Sequence, residues 1–299
     1  MYTEMKQVKV LFLFVIICIL ALYITDKYTF WEGFVENTTS IPKQIWTFWD
    51  GEQSELVKKC IQTWKRHNPD FEVIILDKEN VNTYLPNLEI DKLKHVDGIA
   101  HLSDIIRVHI LALYGGIWSD ASILCTKPYD WILQKQQDTN AEFIGFYING
   151  FTTEKYQSYS PVIENWFFAC VPNSRMMKDW RDKLMNSQQF ASNADYVDNL
   201  RTTTDFQNIN GPNYLWMHCA LQNCLQQNKG KYKFEVLKAE DGPFKYLEDS
   251  NWDNTKAINT LFDCKESPKD GDVFDVPFIK FRSCERPILE KRDFNILFQ

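Results

Sequence analysis

The sequence predicts an α/β domain with a mostly parallel central sheet, set behind an N-terminal apolar segment. Three observations carry this. A strand-like run, a helix-like run and a second strand-like run succeed one another between residues 44 and 76, the pattern of a βαβ unit. Apolar residues then recur at helical spacing through Leu102, Ile105, Ile106, Ile110 and Leu113 and stop at Gly115-Gly116. Further strand-like and helix-like segments alternate beyond them, with no internal repeat or low-complexity tract.

In chain order, residues 1–9 read as a cytoplasmic tail. Residues 10–25 (VLFLFVIICILALYIT) carry no charge and stand at or just below the short limit for a membrane span. Lys6 and Lys9 precede the run against a single Glu4, which places the N-terminus in the cytoplasm and the rest of the chain on the lumenal or extracytoplasmic side. The rival reading, a cleaved signal peptide, needs a small-x-small site, and Leu22-Tyr23-Ile24-Thr25 fits that poorly. The expectation is a type II, single-pass signal anchor, lodged in the Golgi or endoplasmic reticulum in a eukaryote. Residues 26–40 form a stem containing the glycosylation acceptor pattern Asn37-Thr38-Thr39.

The folded region is expected to run from 41 to 299. Strand 44–49 (QIWTFW) ends at Asp50-Gly51, helix 56–67 closes at Asn68-Pro69, and strand 71–76 (FEVIIL) ends at Asp77. Residues 80–94 read as helix or loop, broken at Pro86. After the helix that ends at the glycine pair, Ile117 and Trp118 suit a strand that opens into a loop at Asp120. Helix 131–137, strand 143–147, a site-covering loop 149–159 and strand 165–170 follow. Ser174 caps helix 175–185, and Gly211-Pro212 opens helix 213–226. Strands are expected at 234–237 and 278–281, with loops over 241–275.

Composition narrows the function. At net charge −7 with no long basic run, the chain does not suit nucleic acid as its main partner. Ten Trp, thirteen Tyr and twenty-one Phe supply a core and leave aromatics to stack on rings or sugars. Cys18 lies in the apolar run; the other seven cysteines include no C-x-x-C pair, which speaks against a zinc site. Cys264–Cys284 is the disulfide to test first, and Cys125 and Cys170 suit buried thiols. His101 and His109 stand eight apart, twice the spacing a shared zinc favours on a helix. There is no P-loop, no G-x-G-x-x-G and no G-x-S-x-G.

In a parallel α/β sheet, ligands bind beyond the carboxyl ends of the strands. Asp50, Asp77 and Asp120 each follow a strand and should gather there. A carboxylate with a second oxygen two residues on, Asp120 with Ser122, can hold a hard divalent cation against a diphosphate. Arg107 adds positive charge to the same anion. Asp104 or Asp120 can accept from a ribose, and Trp46, Phe48 or Trp49 can stack on a base.

Three segments in order, Ile41-Pro42-Lys43-Gln44-Ile45-Trp46, Ser103-Asp104-Ile105-Ile106-Arg107 and Tyr114-Gly115-Gly116-Ile117-Trp118-Ser119-Asp120, resemble the capsular polysaccharide synthesis proteins. Those are relatives of the glycosyltransferase family 32 sugar transferases. Fainter likenesses follow at Glu164-Asn165-Trp166 and Asn210-Gly211-Pro212. The resemblance implies a GT-A fold, a UDP- or GDP-hexose donor, and manganese or magnesium. It gives Asp104 and Arg107 the donor sugar and phosphates, Trp49 and Gly51 the nucleotide, and Asp120 the first acid of the D-x-D motif. It sets Asn165 beside Asp120 at the transfer centre, with Asn210 and Gly211 on the acceptor side. One position departs: Ser122 stands where the family carries the second acid, and a neutral hydroxyl holds a cation less tightly. Glu164, Asp205 and Asp275 are the acids available to complete a metal shell. The implied reaction is transfer of a hexose, with retention, to a hydroxyl of a glycan or glycolipid. The alternative is a catalytically inactive carbohydrate- or partner-binding protein on the same fold, motivated by Ser122.

Overall fold

The computed structural model of the protein describes residues 40–299. The expected anchor 10–25, the Asn37 acceptor and Cys18 lie outside the described residues. Among the described residues, no helix is long and apolar enough to cross a membrane.

The opening βαβ unit forms as its pattern requires. Strand β1 (Gln44–Phe48), helix α1 (Glu55–His67) and strand β2 (Glu72–Leu76) follow in order, and β1 pairs with β2 in parallel. Ser54 caps α1 by accepting from the Val57 amide at 3.4 Å. Glu55 in the first turn and Lys65, Arg66 and His67 in the last suit the helix dipole. Helix α2 (Ile99–Tyr114) then leads into β3 (Gly116–Ser119), which pairs in parallel with β1 on its other side.

Gly115 and Gly116 take φ of 65° and 92°, and the space around them is as restrictive as the dihedrals. A Cβ on Gly115 would lie 2.5 Å from the Pro172 nitrogen, and one on Gly116 would lie 2.8 Å from the Gln44 carbonyl oxygen. The pair therefore lets α2 turn straight into the middle of the sheet.

Short strand β4 (Ile123–Cys125), helix α3 (Asp130–Thr139), strand β5 (Phe143–Tyr147) and strand β6 (Ile163–Cys170) follow. Helix α4 (Arg175–Met185), helix α5 (Asn193–Arg201), helix α6 (Trp216–Gln227) and strand β7 (Phe234–Lys238) come next. The main sheet has the order β2-β1-β3-β6-β5-β7, with β6 antiparallel to both of its neighbours. The expected α/β class with a mostly parallel sheet holds. The reversal at β6 has a functional result, because its N-terminal end, Glu164 and Asn165, lies at the same edge as the carboxyl ends of β1 and β3.

Side chains alternate between two apolar layers, as the pleat demands. Ile45, Ile117, Phe167 and Ala169 face one layer, while Trp46, Trp118, Phe168 and Cys170 face the other. Helices α2, α4 and α6 cover the second face, which accounts for their long buried stretches.

Several expectations are corrected. Leu113 is 47% exposed and leaves the predicted apolar stripe, whereas His101, Ser103, Asp104 and Arg107 on the same helix are buried. Residues 241–275 are not all loop: helix α7 (Asn254–Glu266) forms, capped by Asp253, behind a helical turn at Lys245–Glu248. Helix α5 was not legible because its polar face outweighs Tyr196, Val197 and Leu200. The strand expected at 278–281 is β8 (Phe278–Lys280), but it joins β4 in a separate antiparallel pair rather than the main sheet. Cys264 and Cys284 are free thiols, like the other five described cysteines, so the expected disulfide is absent.

Candidate functional site

A cavity of about 520 Å³ opens at the carboxyl ends of β1 and β3. Phe48, Trp49 and Asp50 enter it from the end of β1, Asp120 and Ser122 from the end of β3, and Ser103 and Arg107 from α2. Glu164 and Trp166 arrive from β6, and Lys280, Arg282 and Arg286 from the chain's last stretch. A neighbouring cleft of about 440 Å³ shares Phe151, Trp252 and Arg282 with it and carries Asn208, Asn210 and Glu240.

Arg107 is the inner pivot. Its guanidinium donates to the Ser103 hydroxyl at 3.0 Å and to the backbone carbonyl of Asn165. It lies 3.4 Å from Asp104 Oδ1, 3.6 Å from Asp120 Oδ1 and 4.9 Å from the Trp118 ring centre. Asp104 and Arg107, three residues apart on α2, are thus part of a buried arrangement in which one guanidinium bridges two acids. Burial lifts the Asp104 carboxyl to about 6, against the pull of Arg107. Asn165 donates its side-chain amide to Asp104 Oδ1 at 3.0 Å. Asp104 and Asn165 therefore stand behind the cavity wall, and of the two acids Arg107 bridges, only Asp120 reaches the cavity.

Asp120 collects donors from three directions. Trp118 Nε1 donates to Oδ1 at 3.1 Å, Lys280 Nζ donates to Oδ2 at 2.8 Å, and Arg107 flanks Oδ1. Burial opposes its charge, but Lys280 and Arg107 together hold the carboxyl below its ordinary value. The side chain keeps 27% of its surface exposed to the cavity. Ser122 is buried, donates its hydroxyl to the Phe281 carbonyl at 2.8 Å and accepts from Lys280 Nζ at 3.0 Å.

That arrangement does not fit the metal site expected at Asp120 and Ser122. A divalent cation held by both oxygens would sit about 2.0–2.6 Å from each. The Lys280 ammonium already lies between them, and two cations cannot share that space. Of the other proposed shell acids, Asp275 pairs with Lys127, the Asp205 carboxylate accepts from the Gln207 amide, and Glu164 alone of the three lines the cavity. Among the described residues, no cluster of three His, Cys, Asp or Glu is arranged to hold a metal.

The remaining expected residues divide. Trp49 and Phe48 line the cavity, but Trp46 is buried, donates Nε1 to the Gly115 carbonyl at 3.1 Å and packs against Tyr84 and Tyr114. Gly51 lies in an exposed turn with φ of 87°, past the lining residues. Asp77 caps its own loop by accepting from the amides of Glu79 and Asn80. Asn210 lines the neighbouring cleft. Gly211 does not, but its carbonyl accepts from the amide of Tyr214, whose 62%-exposed ring reaches the main cavity.

Three basic residues escaped the sequence reading. Lys280, Arg282 and Arg286 all line the cavity. Arg282 is braced by buried Glu285 and by Asn254, and stacks over Trp252 at 5.2 Å. Arg286 Nε is buried with no hydrogen-bond partner among the described residues. The available signal was a lysine inside the apolar run FIKF, because burying an ammonium is costly unless it has a partner waiting. Glu164, named only as a spare acid, lines the cavity, and burial lifts its carboxyl to about 7.

Comparison with known proteins agrees with the opening motifs. The family model described as capsular polysaccharide synthesis protein matches residues 19–254, so the chain belongs to that family. It is similar to the O-glycosyltransferase braB of Annulohypoxylon truncatum, 31% identical over 154 residues, covering 46% of this chain and 36% of that protein. It is also similar to the glycosyltransferase afumC of Aspergillus fumigatus, 26% identical over 168 residues, covering 48% and 40%. The matches thus span well under half of those relatives. Among solved structures, the galactosyltransferase LgtC in complex with donor and acceptor sugar analogues aligns over 85% of this chain and 95% of that one. Its TM-score is 0.41 at 11% identity. The PaToxG glycosyltransferase aligns over 86% and 87%, with a TM-score of 0.40 at 15% identity.

Proposed function

We propose that the chain is a glycosyltransferase that moves a hexose from a nucleoside-diphosphate sugar to a hydroxyl of a glycan or glycolipid. The observation that carries this reading is the cavity itself. The aromatic rings of Phe48 and Trp49 line it, as do the cations Arg107, Lys280, Arg282 and Arg286, of which Arg107 and Lys280 flank Asp120. A base stacks on the first group, and a diphosphate is matched by the second. Such fixed charges stabilise a departing diphosphate without reorganising during the reaction. Asp120 keeps a charged, partly open carboxylate at the junction, suited to the sugar hydroxyls.

The neighbouring cleft suits the acceptor. Asn208 and Asn210 offer amides, Trp252 a ring, and Glu240 a buried carboxylate whose Oε1 accepts from the Asn149 amide while Oε2 has no partner among the described residues. A sugar hydroxyl is the natural donor to that oxygen. Retention of configuration and a GT-A-type scaffold for residues 41–299 remain part of this reading on the strength of the family alone. So does the lumenal placement, which rests on the charge asymmetry around residues 10–25.

Isothermal calorimetry with a panel of UDP- and GDP-hexoses, followed by product analysis with any that binds, tests the proposal. Binding of one nucleotide series in the micromolar range, with a glycosylated product, is the expected result. Failure of every nucleotide sugar to bind would sink the transferase reading and leave a binding protein on this fold.

A further inference from the structure

We propose that the Lys280 ammonium is this protein's built-in replacement for a divalent cation, so that diphosphate binding at Asp120 needs no metal. The inference rests on the nucleotide-sugar reading of the cavity and goes beyond it, since it states what neutralises the phosphates.

The placement of Lys280 is fixed by the chain on every side. Its strand β8 pairs with β4 so that Lys280 stands opposite Ile123. One residue on, the Phe281 amide donates to the Ser122 carbonyl at 3.0 Å, and the Ser122 hydroxyl donates to the Phe281 carbonyl at 2.8 Å. The Lys280 carbonyl is held by the Tyr246 hydroxyl at 2.8 Å, and its amide donates to the Pro243 carbonyl at 3.3 Å. The side chain is thereby delivered between Asp120 and Ser122 with only 7% of the residue exposed.

The chemistry of the three groups is self-consistent. The Ser122 proton is committed to Phe281, so the hydroxyl oxygen presents a lone pair to the ammonium. An ammonium carries three donors; Asp120 takes one and Ser122 a second. The third has no protein acceptor among the described residues, and Lys280 lines the cavity. A phosphate oxygen entering beside Asp120 is an acceptor of the right charge for it.

The departure at Ser122 then has a physical reason. An acid at that position would add a second carboxylate beside one lysine, leaving an excess negative charge where a diphosphate must dock. A serine beside a lysine keeps the pair with Asp120 neutral. It also leaves Arg107, Arg282 and Arg286 as the remaining lining cations for the anion.

The test uses the full chain, with UDP and GDP as probes in calorimetry and manganese alone in electron paramagnetic resonance. In wild type, the affinity for whichever nucleotide binds should change less than about threefold between EDTA and millimolar manganese, since no counter-ion is exchanged. Lys280→Ala should weaken that binding in EDTA by about tenfold or more, the loss of one charge-assisted contact. Lys280→Arg should keep metal-independent binding. Manganese alone should find no stoichiometric site in wild type. A wild-type protein that binds one manganese per chain, or that binds nucleotide only with manganese, overturns the proposal. Unchanged nucleotide affinity in Lys280→Ala overturns it too, reducing Lys280 to a structural ion pair. If neither nucleotide binds under any condition, the transferase reading has failed, and the manganese arm alone decides whether Lys280 holds the cation position. Thermal melts of each variant confirm that a lost signal reflects the site and not the fold.

Discussion

Two stretches reach the same cavity from distant parts of the chain. From residues 101–122, Arg107 on the helix and Asp120 in the loop after the strand reach it, with Asp104 behind its wall. Residues 278–286 supply Lys280, Arg282 and Arg286 from a short strand paired outside the main sheet and the turn after it. The first stretch is organised by local geometry: Asp104 and Arg107 meet because they are one helical turn apart, and the glycine pair sets Asp120 at the strand end. The second is organised by contacts more than 150 residues away, such as Lys280 to Asp120 and Ser122. The lesson is that the acidic half of the site is a motif, whereas the basic half is a product of strand pairing.

The junction between the two halves is Asp120, and the largest effect is expected there. Asp120→Asn removes the charge that both Arg107 and Lys280 answer. Transfer should fall by about 10³-fold, the scale of losing a preorganised electrostatic contact. Steady-state rates against the best donor check this, and activity within a factor of about three of wild type, far below that scale, would mean that the junction is not where the donor sits.

Arg107→Met tests the local half by itself. It strips a buried cation from between Asp104 and Asp120 and orphans the Asn165 carbonyl. The expected cost is about 3 kcal/mol in urea unfolding, the usual penalty for breaking a buried charge pair from one side. A loss smaller than about 1 kcal/mol, the value typical of exposed pairs, would return the pair to the surface role its spacing alone suggests.

Glu164 sharpens the comparison from the antiparallel strand. Its ordinary value is 4.5, and burial lifts it to about 7 in the folded chain. The folded state therefore keeps a proton that the unfolded chain releases, so stability is greatest below the unfolded value and falls as the pH climbs through the folded one. Between about pH 4.5 and pH 8, wild type should lose about 2–3 kcal/mol relative to Glu164→Gln. Parallel pH profiles of the two proteins would contradict this.

The smallest effect is expected in the basic stretch, at Cys284, which donates to Glu285 at 2.9 Å and is joined to no other described cysteine. Cys284→Ser should shift the melting temperature by no more than about 1 °C, within the range of ordinary surface changes. Dithiothreitol should leave the wild-type melt unmoved. A fall with reductant would show that a Cys264–Cys284 bridge, and not strand pairing, holds Lys280 in place.

Much of the architecture was readable because its signals are short-range. Strand 44–49, helix 56–67 and strand 71–76 carry their periods, caps and stops within about thirty residues, and they form nearly as expected. The same holds for Gly115 and Gly116, whose positive φ follows from where they stop a helix. Asp120 and Trp49 were reached by asking what lies at a strand end, Arg107 through the segment it shares with Asp104, and all three line the cavity. Trp46 was misplaced because alternation along a strand tells which side chains share a face but not which face is covered. Helix α2 covers its side.

Alone, the sequence determined the α/β class, the family, and the placement of Asp50 and Asp120 at the sheet edge, since these depend on local periodicity and on motifs within one βαβ unit and the helix–strand unit after it. Only the tertiary structure decided that β6 runs backward and brings Glu164 and Asn165 to that edge. Only it decided that β8 leaves the main sheet for β4, so that an ammonium lies where spacing had placed a metal. The physical reason is range: helical and strand periods are properties of neighbours, whereas the charge that meets Asp120 depends on which distant strand pairs beside Ser122.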